Sequence, residues 1–143
     1  MNTYICLRIT GDSFKPDEAT SILDIKPNRA SAKNSIHTTC TGKKIVAKFG
    51  SWAWDYPKEK PEQQETFKQK IVSLGRVFDG KKLLQVSELS SVEYVWVDIF
   101  ILGGDAEDMC DERSVCFDVD IESILVFHEL GIPVVFSIGV CFE

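Results

Sequence analysis

The segment around which the rest of the chain is arranged reads EYVWVDIFIL, from Glu93 to Leu102. Its residues alternate between two sets, and both sets are apolar. One set is Val95, Val97, Ile99 and Ile101; the other is Tyr94, Trp96, Phe100 and Leu102, interrupted by Asp98. A strand that is apolar on both faces is typical of the interior of a sheet, where both faces are at least partly covered. We therefore expect this segment to be a central strand.

Apolar periodicity marks the other elements of the chain. It predicts strands at residues 3–10, 49–56, 115–119 and 133–142, and helices that begin at Pro16, at Pro61 and after Asp120. The second helix is expected to end at Gly80, since glycine is a common helix terminator. Residues 82–91 fit either a last helical turn or a short strand. Residues 28–48 have no periodicity and are expected to form a long loop or an irregular excursion.

This order of elements predicts an α+β fold in a single domain, residues 1–143. Two βαβ-like halves would share one mostly antiparallel sheet, which is the ferredoxin-like or split βαβ plan, with an extra helix between the halves. The helices are expected mainly on one face of the sheet, against the aliphatic sets of the strands. The other face would display Tyr4, Arg8, Trp96, Asp98, Phe100 and Asp118.

The composition is that of an ordinary globular protein, with 44% hydrophobic and 27% charged residues. No stretch approaches the roughly 20 apolar residues that a membrane-spanning helix needs. The first ten residues, MNTYICLRIT, lack the basic start of a signal peptide. We therefore expect a cytoplasmic protein with no membrane partner, in which the five cysteines are reduced thiols.

Charge is unevenly distributed along the chain, and the formal net charge is −6. Between Asp24 and Asp55 there are six basic residues and no acidic ones, whereas from Ser87 to Glu143 thirteen acidic residues accompany one base, Arg113. An acidic excess disfavours nucleic acid as a general partner. It favours encounter with a basic protein.

The N-terminal part of the chain resembles a known family. A Gly11-Asp12 turn, Phe14 and Pro16 are followed by ILDIKP at residues 22–27, and this run is similar to the opening of the bacterial domain-of-unknown-function family 4279. The Trp-bearing strand, the helix after Pro61 and residues 117–140 take the places of the family's later elements. Asp24 stands where the family prefers glycine. The resemblance implies no activity and no catalytic residue; by analogy it favours an immunity or interaction protein.

Two groups of side chains are candidate binding residues. The first is the aromatic stripe Trp52, Trp54 and Tyr56, which either contacts a ligand or partner or belongs to the core. The second lies on the face away from the helices and comprises Arg8, Trp96, Asp98 and Phe100, with Asp118. This second group is either a binding surface or the surroundings of a structural Arg–Asp pair.

No catalytic or metal-binding motif stands out. His37 and Cys40 form an HxxC pair, but zinc needs more ligands than this pair supplies. No phosphate-binding loop, dinucleotide fingerprint or nucleophile elbow is present. The sequence therefore predicts neither a cofactor nor a metal, and it favours a non-enzymatic protein over an enzyme.

Three functional interpretations remain open. The first is a non-enzymatic cytosolic module, for example of the immunity type, that binds another protein. Its sheet face and acidic C-terminal half would form the binding surface, and a basic protein such as a toxin domain would be a suitable partner. The second is a small-molecule-binding domain or minor enzyme with a pocket near Trp52, Trp54 and Arg8, beside the loop of residues 28–48. The third is a homodimer joined through the open face of the sheet.

Overall fold

A computed structural model of the protein describes residues 2–103, 109–111, 114–115 and 117–140. The strands are β1 (Asn2–Gly11), β2 (Arg29–Ser31), β3 (Ile36–Thr38), β4 (Lys44–Val46), β5 (Gly50–Asp55), β6 (Tyr94–Gly103), β7 (Met109–Asp111), β8 (Ser114–Val115) and β9 (Val134–Val140). The helices are α1 (Pro16–Leu23), α2 (Phe67–Val77), α3 (Gly80–Ser87) and α4 (Ile121–Leu130), and a 3-10 turn spans Pro61–Gln63. None of these helices is long and apolar enough to cross a bilayer.

The main sheet has five strands in the order β2-β5-β1-β6-β9. β1 is antiparallel to both β5 and β6, and β2 is antiparallel to β5. β2 therefore runs in the same direction as β1, with β5 between them. β5 likewise runs in the same direction as β6, with β1 between them. β9 is parallel to β6 and forms one edge. The predicted α+β fold with a mostly antiparallel sheet is confirmed.

The core lies between the helices and one face of this sheet. The register places Leu7 beside Val97 and Ile5 beside Ile99, and all four side chains are buried. The helices contribute their own buried residues, among them Leu23, Ile71, Leu74, Leu83, Val86 and Leu130. Burying one such side chain contributes about 1.5–3 kcal/mol, so this layer is the main source of stability.

The prediction that Gly80 ends the second helix is wrong. α2 begins after Thr66, whose side chain accepts a hydrogen bond from the Gln69 N–H, and it ends at Val77. Asp79 then accepts a hydrogen bond from the Lys81 N–H and caps α3, so Gly80 is the first residue of a new helix. A Cβ atom at Gly80 would overlap the carbonyl oxygen of Glu129, so this glycine allows α3 and α4 to approach closely. Residues 82–87, left ambiguous by the sequence, are helical.

Two other segments also differ from their predictions. Residues 28–48 are not a plain loop, because β2 joins the main sheet while β3 and β4 form a separate two-stranded hairpin. Strands of three residues are too short to leave a periodic signal. The predicted strand at 115–119 is wrong as well, because residues 117–120 have no regular structure and β8 pairs with β7 instead.

Candidate binding site on the open sheet face

None of the described helices packs on the second face of the sheet, which we call the open face. Since side chains alternate along a strand, Tyr4, Cys6 and Arg8 of β1 point to it. The register sets three rows across β1 and β6: Tyr4 with Phe100, Cys6 with Asp98, and Arg8 with Trp96. The predicted residues Arg8, Trp96, Asp98 and Phe100 therefore do share one surface.

Aromatic side chains are exposed on the open face. Tyr94 is 66% exposed, Tyr4 57% and Phe100 38%. The Tyr4 and Phe100 rings lie with their centroids 6.1 Å apart. Phe100 also leans over β9, where a Cβ atom at Gly139 would lie 2.9 Å from its ring. Aromatic groups left uncovered in this way are typical of a surface that binds another molecule.

Two ion pairs lie among these aromatic groups. Arg8 Nε is 3.5 Å from Asp98 Oδ2, which fits the structural Arg–Asp pair that the sequence allowed. Arg29 Nη2 donates a hydrogen bond of 2.7 Å to Asp55 Oδ1 on the neighbouring strand. Arg8 Nε is buried and makes no hydrogen bond within the described residues. The centre of the open face is thus balanced in charge, with one guanidinium incompletely bonded.

Cys6 lies between these two pairs and is buried. Arg29 Nη2 approaches its sulfur at 3.6 Å. Burial, and then its hydrogen bond with Asp55, raises the pKa of the Cys6 thiol from 9.0 to about 11. The thiol is therefore protonated at neutral pH and unsuited to act as a nucleophile, because the thiolate is the reactive form.

A groove with a volume of about 780 Å³ runs over one end of the open face. Arg8, Tyr4 and Phe100 form part of its floor, and residues 56–65 form a wall. The volume lies within the range of about 300–1,000 Å³ that is usual for small-molecule sites.

Polar contacts hold the wall of the groove in place. Tyr56 donates a hydrogen bond of 2.5 Å to Glu65, and Lys70 Nζ lies 2.6 Å from Glu59 Oε1. Lys70 also donates to the carbonyl oxygen of Thr3 at 3.1 Å, which ties the wall to β1. The hydrogen bond from Lys70 lowers the pKa of Glu59. Burial, followed by the bond to Glu65, raises the pKa of Tyr56.

The aromatic stripe faces the helices instead of the open face. Trp52 is completely buried and donates a hydrogen bond of 3.1 Å to Thr20 Oγ1. Trp54 is partly buried, and its ring meets that of Phe78 edge-on with centroids 5.1 Å apart. In the register, Trp54 is opposite Leu7, whereas Arg8 is opposite Ala53. Neighbouring residues of a strand point to opposite faces, so Arg8 and the two tryptophans do not line one pocket as predicted. Tyr56, just after the end of β5, does border the groove.

The remaining candidates lie elsewhere. Asp118 is exposed and precedes α4 outside the sheet, so it does not join Asp98 on the open face as predicted. His37 lies 3.1 Å from the hydroxyl of Ser35, and Cys40 is exposed. Within the described residues, no group of three or more His, Cys, Asp or Glu side chains is placed to hold a metal ion.

Sequence reasoning missed two contributors to the site. Arg29 reaches Asp55 because β2 pairs with β5, and β2 lies in the segment predicted to be a loop. Lys70 sits on α2 in a position that the helical pattern assigns to a polar surface, yet it is buried against β1 and Glu59. The wall of the groove begins with residues Pro57–Pro61. The sequence indicated these residues only as a break after the predicted strand at 49–56.

Comparisons with known proteins agree with the resemblance noted in the sequence. The sequence model of a domain of unknown function, DUF4279, matches residues 1–137. No curated protein and no solved structure matches the chain. Because the match covers nearly the whole chain, the protein belongs to the DUF4279 family.

Proposed function

We propose that this protein is a non-enzymatic module that binds another protein through its open face. The observation that carries the proposal is the exposure of Tyr94, Tyr4 and Phe100 on a sheet face that no described helix covers. Tyrosine and phenylalanine bury a large area at a modest entropic cost, which is why they are frequent in the centres of interfaces. The raised pKa of Cys6 also removes the most obvious nucleophile of this face.

The partner that fits this surface is a basic protein. The chain carries a formal net charge of −6, whereas the arginines at the centre of the open face, Arg8 and Arg29, are each paired with an aspartate. An acidic binder attracts a basic partner over several ångströms and so increases the rate of encounter. A basic toxin domain would satisfy this chemistry, and the module would then be of the immunity type.

Site-specific cross-linking tests this proposal. A photoreactive phenylalanine analogue replaces Tyr94 on the open face, and the matched control places it at Leu84, which is 57% exposed on α3. Irradiation in the source cells should yield an adduct with one basic protein from position 94 only. Identical adducts from both positions, or none from position 94, would refute the proposal. An adduct of twice the chain's own mass at position 94 would favour a homodimer through this face.

A second candidate function is the binding of a small molecule with an anionic group in the groove. The observation that favours it is the volume of about 780 Å³ next to the incompletely bonded guanidinium of Arg8. An aromatic carboxylate could stack on Tyr4 and Phe100 while Arg8 pairs with its charge. In a thermal-shift screen of such compounds, Arg8→Ala should abolish any stabilisation that the control Arg76→Ala retains. Hits with equal shifts in both variants would argue against this site.

We also propose that the sheet is a ferredoxin-like unit with one added strand. Two connections support this assignment, because β1–α1–β2 and β5–α2–α3–β6 each join strands that run in the same direction with one strand between them. β9, which follows α4, would be the addition. An experimental structure with another strand order would overturn the assignment.

We place the protein in the bacterial cytoplasm. Cys6 and Cys40 form no disulfide within the described part of the chain, which supports this location because reduced cysteines persist where glutathione and thioredoxin act. Fractionation of the source cells tests it, and recovery with secreted proteins would contradict it.

A further inference from the structure

Helix α4 has apolar residues on two opposite sides. Val126, Phe127 and Leu130 point toward the core, and Ser123 is completely buried among them. On the other side Ile121, Ile124 and Leu125 are exposed by 77%, 52% and 54%. Exposed apolar residues on the side of a helix that faces away from the core are typical of a surface that binds another molecule. We call these three residues the outer face of α4.

Acidic side chains border this outer face. Glu122 and Glu129 lie on α4 itself, and Asp120 caps its first turn. Lys68 of α2 neutralises part of this charge, at 2.8 Å from Glu122 and 3.2 Å from Asp120. Glu129 forms no ion pair with any residue in the described ranges. A partner for the outer face should therefore combine apolar side chains with positive charge.

The hairpin of β3 and β4 is the second element with uncovered apolar side chains. Ile36 and Val46 are cross-strand neighbours and are 66% and 54% exposed. Lys44 is two residues from Val46 and so points to the same side of the hairpin. Lys43 and Lys48 are exposed nearby. A separate two-stranded hairpin is marginally stable in water, so a surface that covers Ile36 and Val46 would stabilise it.

The two elements complement each other but lie at opposite edges of the molecule. The hairpin connects β2 to β5 at one edge of the sheet, whereas α4 leads into β9, the strand at the other edge. One copy therefore cannot bring its own hairpin onto its own α4. We propose that the hairpin of one copy docks on the outer face of α4 of a second copy. Ile36 and Val46 then cover Ile124 and Leu125, and Lys44 faces Glu129.

This contact joins two different surfaces, so it is heterologous and leaves one hairpin and one α4 unused at the ends. Further copies can add in the same way. The contact surface is a ten-residue helix against a hairpin with strands of three residues. It is small beside the about 800 Å² per partner of a standard stable interface. We therefore expect association to begin at micromolar or higher concentration and to weaken with salt.

Sedimentation equilibrium with two variants tests the proposal. The helix variant carries Ile124→Glu and Leu125→Glu, and the hairpin variant carries Ile36→Glu and Lys44→Glu. Each variant alone should stay monomeric at concentrations at which the weight-average mass of the wild type has at least doubled. Mixed together, the two should form a 1:1 heterodimer and nothing larger, because one intact hairpin meets one intact α4. A symmetric contact, in which both copies use the same surface, does not predict that mixing the two variants restores association.

Control variants separate lost binding from lost folding. Leu84→Glu changes an equally exposed leucine on α3 and should associate like the wild type. The circular dichroism spectrum and the unfolding midpoint of both test variants should match those of the wild type. Ile121→Glu, on the outer face of α4, serves as a second helix variant. Self-association that persists in either variant, or a mixture that stays monomeric, overturns the proposal. Binding of the hairpin to phosphatidylglycerol vesicles without self-association would also overturn it, in favour of a membrane surface.

Discussion

At the scale of single residues, the open face contains a buried thiol whose protonation is linked to folding. The folded-state pKa of Cys6 is about 11, compared with 9.0 for a free thiol. Between these values the folded protein binds more protons than the unfolded chain. The free energy of unfolding should therefore fall as pH rises from about 9 to 11, by about 1.4 kcal/mol per pH unit in the steepest part.

Denaturant unfolding at pH 8 and pH 10.5 measures this dependence. Between pH 8 and pH 10.5 the free energy of unfolding should fall by about 2 kcal/mol more in the wild type than in Cys6→Ala, because the variant lacks the titrating thiol. Cys40→Ala is the matched control, because that thiol is exposed, and it should behave like the wild type. Equal losses in the wild type and Cys6→Ala would show that the thiol does not titrate as described.

Individual site residues were predictable only where a long strand fixes them. Arg8 and Asp98 lie on strands of ten residues, so alternation assigned both to one face and allowed the ion pair that the structure shows. The same alternation places Trp54 opposite Leu7 and away from Arg8. Arg29 depends on the pairing of a three-residue strand, which no local pattern records. The sequence could not reveal the contact between Arg29 and Asp55, because the two residues are 26 positions apart in the chain.

At the scale of elements, the contact between the start of α3 and the end of α4 requires a glycine. In an exposed helix Gly→Ala usually stabilises by about 1 kcal/mol. We expect Gly80→Ala to destabilise the protein instead. The free energy of unfolding should fall by about 2–4 kcal/mol, because the new methyl group would overlap the backbone of Glu129. Gly75→Ala in α2 is the matched control. Its methyl group would lie 2.7 Å from Val126 Cγ1, a side chain that can move, so its cost should be smaller. Thermal unfolding of both variants compares them; an equal or smaller loss for Gly80→Ala would contradict this account.

The hairpin of β3 and β4 contributes little to the stability of the monomer. It adds no residue to the buried core, and the backbone of Asn34 and Ser35 pairs with Ala47 at its base. Replacing residues 36–46 by an Asn-Gly turn should keep this pairing, because that dipeptide suits a two-residue hairpin connection. The unfolding free energy in urea should then change by less than about 1 kcal/mol. A loss above about 2 kcal/mol would mean that the hairpin packs on its own molecule.

Long elements were predictable from the sequence and junctions were not. The helical spacing of Ile71 and Leu74 indicated α2, and the alternation of residues 93–102 indicated β6. The break between α2 and α3 depends on the capping by Asp79 and on the carbonyl of Glu129, which is remote in the chain. Contacts of this kind depend on tertiary structure, so local periodicity cannot anticipate them.

At the scale of the whole molecule, apolar surface is unevenly covered. The helices and one sheet face share the core, while the open face, the outer face of α4 and the hairpin keep exposed apolar groups. The outer face of α4 points away from the core and lies on the opposite side of the molecule from the open face, so one partner surface cannot cover both. Binding through the open face and self-association through α4 are therefore compatible, and each can fail without the other.

Hydrogen exchange followed at several protein concentrations examines the whole molecule at once. In dilute solution the amides of β1 and β6 should exchange slowest, because these strands are bonded on both sides and adjoin the core, whereas the hairpin should exchange rapidly. If α4 of one copy covers the hairpin of another, the hairpin and the residues on the outer face of α4 should gain protection together as concentration rises. The variant Ile124→Glu with Leu125→Glu should lose the gain in both elements, although only α4 is altered. Protection that appears in the hairpin alone, or that persists in this variant, would mean that the two elements do not contact each other.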